Sequence, residues 1–257
     1  MRRRKRWQKR RLERRAEPRN CSLPMIGIIL IAVTWILLRL EGKDLGAIGL
    51  NAPRLRLREF SAGFLVAGAA AALQQFGYSL ATGTFWRLNP DLSGALLLES
   101  LRWNTNSVLY EELLFRGYLL YQAIRLLGAR RAVPLGAVAF GIYHWFSYGV
   151  LGNPVAMAFI LLLTGAFGLM CALAFATTRS IAAPIGLHLG WNVISYVVFS
   201  AGPLGRAVLI PASGAGRLRV EGMAGLLLGL GLPMMLVAGV TYYLIRMRRG
   251  ITASASS

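Results

Sequence analysis

The chain is poor in charge, in acids and in cysteine. Only 15% of its 257 residues are charged, against about 25% in an ordinary soluble domain. Ten are acidic and 29 are basic, so the formal net charge is +19. With 56% hydrophobic residues, the composition excludes a disordered chain, which needs low hydrophobicity. Two cysteines, Cys21 and Cys171, exclude a disulfide framework. Cys171 lies in an apolar block and reads as a small core residue. Cys21 follows the basic N-terminus, where lipidation is the alternative reading. There are two histidines in all, His144 and His188. No internal repeat and no second soluble domain is visible.

What the chain has instead is long uncharged runs. Phe60 to Trp86 is 27 residues without Asp, Glu, Lys or Arg, and Ala132 to Thr178 is 47. Two more runs cover 26 residues from Ser180 and 24 from Gly222. A hydrocarbon core of about 30 Å needs about 20 apolar residues at 1.5 Å rise each. The runs therefore predict an all-α, polytopic membrane helix bundle with about six to eight spans. Seven segments are expected, at about 23–40, 60–83, 103–127, 133–151, 155–177, 180–200 and 222–245. Gly149, Gly152, Asn153 and Pro154 are expected to form the turn inside the 47-residue run. The abundant Gly and Ala suit close helix packing in lipid. The expected organisation is a basic cytoplasmic tail (1–22), a membrane-embedded domain (23–246, motif core 105–200) and a short polar tail (247–257).

The first 19 residues hold 11 Lys or Arg and two Glu. Such a segment rests on anionic lipid headgroups. It has no nucleic-acid recognition fold, so nucleic acid is not an expected partner. A cleaved signal peptide is not expected either, since no small-x-small pattern follows the first apolar stretch. The tail argues for a cytoplasmic N-terminus. Seven crossings would then put Arg54, Arg56, Arg58, Arg246, Arg248 and Arg249 outside. A re-entrant segment, leaving six spans, is the alternative.

The third segment contains Tyr110-Glu111-Glu112-Leu113-Leu114-Phe115-Arg116-Gly117. Each ionised residue at a helix centre costs roughly 2.5–3.5 kcal/mol on insertion scales, so such groups face a bundle interior or a wet cavity. Glu112 and Arg116 are four apart on one face and form an expected ion pair. Glu111 points about 100° away, free for another partner. His144 follows Phe140 in the fourth segment, and His188 shares a face with Asn192 in the sixth. Glu111, His144 and His188 each fall about 8 to 11 residues into their expected helices, which places them at one depth. Two His and one Glu match the ligand set of a catalytic zinc site. A metal-free version also works, with Glu taking a proton from water and His and Asn stabilising an oxyanion. Hydrogen-bonded core histidines are the plain alternative. A proton or ion relay through Glu111 and Glu112 is another, which broken helices and an inverted repeat would favour.

At these residues the chain resembles the CAAX prenyl protease 2 and bacteriocin-processing (Abi, CPBP) intramembrane proteases. The motif E-E-x-x-x-R is met by Glu111, Glu112 and Arg116, followed by Gly117. F-x-x-x-H is met by Phe140 and His144, and H-x-x-x-N by His188 and Asn192. Thr178, Ser180, Ile181, Pro184 and Ile185 also fit the approach to the last motif, and Phe167-Gly168-Leu169 fits a further pattern. The resemblance implies a membrane-embedded endopeptidase of the cell (plasma) membrane. It implies that Glu111 activates water, with His144 as proton-transfer or metal partner. It implies that His188 and Asn192 stabilise the tetrahedral intermediate, and that Glu112, Arg116 and Phe140 support the site. Zinc held by His144, His188 and Glu111 stays open beside the glutamate-dependent version. The implied substrate is a peptide or membrane protein, with lipidated ones included. A non-catalytic protein of the same fold, acting as an immunity factor or scaffold, is the competing function.

Overall fold

The computed structural model describes residues 26–254 apart from 206 and 215–217, and side chains as far as 248. The basic tail and Cys21 lie outside the described residues.

The architecture is an all-α bundle. Helix α1 is Ile26–Leu40. A short 3-10 turn at Leu45–Ile48 leads to α2, Pro53–Thr82. Then come α3, Gly94–Arg116, α4, Tyr118–Leu127, and α5, Ala129–Ser147. Helix α6 is Pro154–Thr178, and α7 is Ala182–Asn192, continued by a π-helical turn at Val193–Val198. Last come α8, Gly222–Leu226, a π turn, and α9, Leu232–Ser254. Strands β1, Trp86–Leu88, and β2, Leu209–Pro211, pair antiparallel, a feature the hydrophobic runs did not announce.

Three stretches are long and apolar enough to cross a membrane: 45–82, 154–178 and 222–248. Helix α1 and the 182–198 stretch are apolar but shorter. Helix α3 holds Glu99, Arg102, Glu111, Glu112 and Arg116, so composition alone would never select it. The expected third segment, 103–127, is in fact two helices. Ser93 caps α3 by accepting from the Leu96 N–H at 3.2 Å, so the helix starts nine residues early. It stops at Gly117, where a Cβ would stand 2.2 Å from the Leu113 carbonyl oxygen. Only glycine tolerates that approach.

The turn after α5 is built as expected. Gly149 and Gly152 have φ of 63° and 85°, Asn153 caps Ala156, and Pro154 opens α6.

Close packing positions the site. Helix α7 presses two glycines onto α2. A Cβ at Gly186 would stand 2.2 Å from the Phe60 carbonyl oxygen, and one at Gly190 2.3 Å from that of Phe64. His188 and Asn192 lie about 200° around the helix from these glycines. Fixing the glycine face against α2 therefore turns His188 and Asn192 inward.

Candidate active site

Glu112 and Arg116 lie at the centre of the bundle, 0% and 1% exposed. Their pairing follows from the i,i+4 spacing, and the Arg116 Nη1–Glu112 Oε1 distance is 3.1 Å. Arg116 Nη2 donates to the Gly168 carbonyl at 3.1 Å. Its guanidinium lies over the Phe140 ring, 4.1 Å from the centroid. Each face of the buried cation is thus matched by a carboxylate, a carbonyl or a ring quadrupole. Gly168 makes room for this arrangement. A Cβ there would stand 3.0 Å from the Phe140 ring and 3.2 Å from Arg116 Nη2.

The ion pair also grips a histidine. His188 Nδ1 stands 2.8 Å from Glu112 Oε1. His144 Nδ1 stands 2.8 Å from the Phe140 carbonyl oxygen. A carbonyl and a carboxylate only accept, so both Nδ1 atoms carry the proton and donate. In the neutral rings, both Nε2 atoms then present lone pairs. They face one oxygen: Glu111 Oε2 lies 3.8 Å from His144 Nε2 and 3.9 Å from His188 Nε2.

The two adjacent glutamates therefore sit in different surroundings. Glu112 is sealed, whereas 14% of the Glu111 side chain is exposed. Glu111 Oε2 is buried and has no direct hydrogen-bond partner among the described residues. Two lone pairs facing a carboxylate need hydrogen between them. A water with contacts of about 2.8 Å can bridge Glu111 Oε2 to either Nε2. Asn192 is buried one turn beyond His188, at the end of α7.

The donors match catalytic zinc in kind but not in spacing. Tetrahedral zinc with arms of about 2.0–2.2 Å sets neighbouring donors about 3.4 Å apart, closer than the 3.8 and 3.9 Å found. Among the described residues, no group of three or more His, Cys, Asp or Glu side chains is arranged to hold a metal ion.

The structure brings Glu111, Glu112, Arg116, Phe140, His144 and His188 together. They do not meet by equal depth along their helices, as the spacing suggested. Glu111, His144 and His188 fall 17, 15 and 6 residues after the first residues of α3, α5 and α7. The helix starts differ from the expected ones, and the chain direction alternates. Two neighbours escaped the sequence reading: the Tyr143 and Tyr148 rings stand 5.2 and 5.7 Å from that of His144. The ring of Phe167, from the Phe167-Gly168-Leu169 pattern, stands 5.2 Å from that of His188. Tyr148 follows His144 by one helical turn, a signal that was available.

Comparison with curated proteins and with solved structures returns no match. Residues 93–194 match the model of the Rce1-like family, described as type II CAAX prenyl endopeptidase. The matched span begins at the Ser93 cap of α3 and contains every site residue above. Over that span, less than half of the chain, the protein is similar to the Rce1-like type II CAAX prenyl endopeptidases.

Proposed function

We propose that the protein is an intramembrane endopeptidase that hydrolyses a peptide bond with water activated by Glu111. The observation that carries the reading is the convergence of the Glu111 carboxylate on Nε2 of His144 and His188, from three separate helices. The likeness of residues 93–194 to the Rce1-like family supports the peptidase class.

Water between these groups donates one hydrogen to Glu111 Oε2 and is oriented by a histidine Nε2. Glu111 takes the proton as the water oxygen bonds to the peptide carbonyl carbon. The C=O π pair moves onto oxygen and gives a tetrahedral intermediate. Asn192 donates to that oxyanion, while His188, tied through Nδ1 to Glu112, keeps its Nε2 lone pair toward the attacking water. The proton passes from Glu111 to the leaving nitrogen, and the C–N bond breaks. Glu112 and Arg116 touch no reacting atom in this scheme. They hold His188 in the tautomer and orientation the chemistry uses, so they are positioning residues. No step runs through a metal.

The substrates are peptides or membrane proteins, lipid-modified ones included, and the setting is the cell membrane. The test uses purified protein in detergent with quenched-fluorescent peptides, prenylated and unprenylated. Glu111→Gln is expected to fold at normal yield and lose cleavage. Equal turnover by wild type and variant would contradict the proposal and favour a non-catalytic role.

A further inference from the structure

A second polar feature lies away from the catalytic helices' meeting point. A cavity of about 190 Å³ opens where α1 ends, α2 begins, α4 passes and α6 ends. Three arginines line it, Arg56, Arg125 and Arg179, together with Asn51 and Tyr121, and among the described residues no carboxylate does. At about 30 Å³ per water, the space equals roughly six waters, enough for a phosphate group carrying a small organic substituent.

The arginines are held in different ways. Arg56 is fixed by Glu59 at 2.8 Å and by weaker contacts to the Thr178 carbonyl and Asn51 at 3.4 Å. These use its two terminal nitrogens and leave Nε buried without a partner. Arg125 spends Nη1 on Glu41 at 2.7 Å and Gln122 at 3.0 Å. Arg179 is exposed and caps α6 in the left-handed region, with φ 54° and ψ 34°. That conformation disfavours every residue with a Cβ and is the ordinary place for glycine. An arginine held there against its backbone preference points to a use for its charge. The end of the bundle around the cavity is basic as a whole. Arg39, Lys43, Arg54, Arg58, Arg130 and Arg131 all lie at the ends of helices α1, α2 and α5 that meet here.

We propose that this pocket binds a phosphate group, carried either by the headgroup of an anionic membrane lipid or by a soluble phosphate ester. The guanidinium fork suits phosphate oxygens in pairs. The Arg179 guanidinium supplies the donors, and Arg56 and Arg125 add their charge at the lining. The position at helix ends, beside a membrane-spanning stretch, is where lipid phosphates lie. The readout is binding, so the proposal stands or falls apart from the peptidase reading.

The test uses the full chain purified in detergent and followed by tryptophan fluorescence during heating. Inorganic phosphate is titrated against chloride at matched ionic strength. A saturable rise in melting temperature is expected for wild type. Arg179→Gly relieves the left-handed backbone and keeps the fold, so it should melt at or above the wild-type temperature without phosphate. It should bind phosphate at least about tenfold more weakly. In parallel, native mass spectrometry compares nanodiscs of phosphatidic acid with nanodiscs of phosphatidylcholine. Selective retention of phosphatidic acid by wild type, lost in Arg179→Gly, assigns the site to a lipid headgroup. Saturation by inorganic phosphate without lipid retention assigns it to a soluble phosphate ester. No response in wild type, or an equal response in the variant to both probes, overturns the proposal.

Discussion

At the scale of single residues, two neighbouring glutamates have different work. Glu112 is fully buried, paired with Arg116 and bonded to His188. Breaking a buried pair leaves an uncompensated charge and costs about 3–5 kcal/mol. Arg116→Ala is therefore expected to lower yield and melting temperature, as measured by size-exclusion recovery and thermal unfolding. A normal yield and melting temperature would contradict the pairing. Glu111 has no such structural tie, so Glu111→Gln is expected to leave the melting temperature within a degree or two. Activity should fall by at least about 100-fold, the lower range for a general base. Asn192→Ala should cost about 10²–10³ in kcat if Asn192 is the oxyanion donor. The donor spacing predicts that active protein holds far less than one metal per chain and survives chelation, as metal analysis beside activity would reveal. One zinc per chain, lost in His144→Ala or His188→Ala together with activity, would contradict this.

Much of this residue-scale pattern was legible in the sequence. The spacing of Glu112 and Arg116 is local, and a charge inside an apolar run announces a partner. The bond between Glu112 and His188 joins residues 76 apart. No periodicity encodes it, because only the packing of α3 against α7 brings the two together.

At the scale of elements, glycine decides where helices stop and how closely they approach. Gly190→Leu would drive a side chain into the Phe64 backbone, where a Cβ already lies 2.3 Å from the carbonyl oxygen. Overpacking of this kind costs typically 1–3 kcal/mol, and backbone contact puts this site at the upper end. Helix α7 must then shift from α2 and take His188 with it. The variant should lose stability and activity together, in contrast to Glu111→Gln. Wild-type activity in Gly190→Leu would contradict the role given to α2–α7 contact. Element boundaries were the less legible part. The start of α3 was hidden because its first turns mix Ser100, Asn104 and Asn106, all buried, with charges at Glu99 and Arg102. A hydropathy argument reads such a stretch as outside the membrane. Polar groups turned into a bundle look the same, in composition, as polar groups turned to water.

At the scale of the whole molecule, the bundle separates a basic end from the interior cluster of Glu111, Glu112, Arg116, His144 and His188. Helices α1, α2, α4, α5 and α6 all begin or finish at the arginine-lined end. This sharpens the orientation conflict seen in the sequence. The arginines at 54, 56 and 58 lie at that end, and the direction of α1 carries the chain from its first described residue toward it. The all-α membrane architecture was legible because runs of 24 to 47 uncharged residues admit few other folds. The small β1–β2 ribbon was not, since strands of three residues leave no periodic signal.

We propose that Glu111 drives peptide hydrolysis in the membrane. That proposal is tested most directly by comparing terminal peptides from host membranes carrying wild type or Glu111→Gln at matched abundance. New protein termini found only with wild type, and reproduced with purified components, are the predicted result. Identical termini in the two membranes, with the variant supporting the same biological role as wild type, would contradict it.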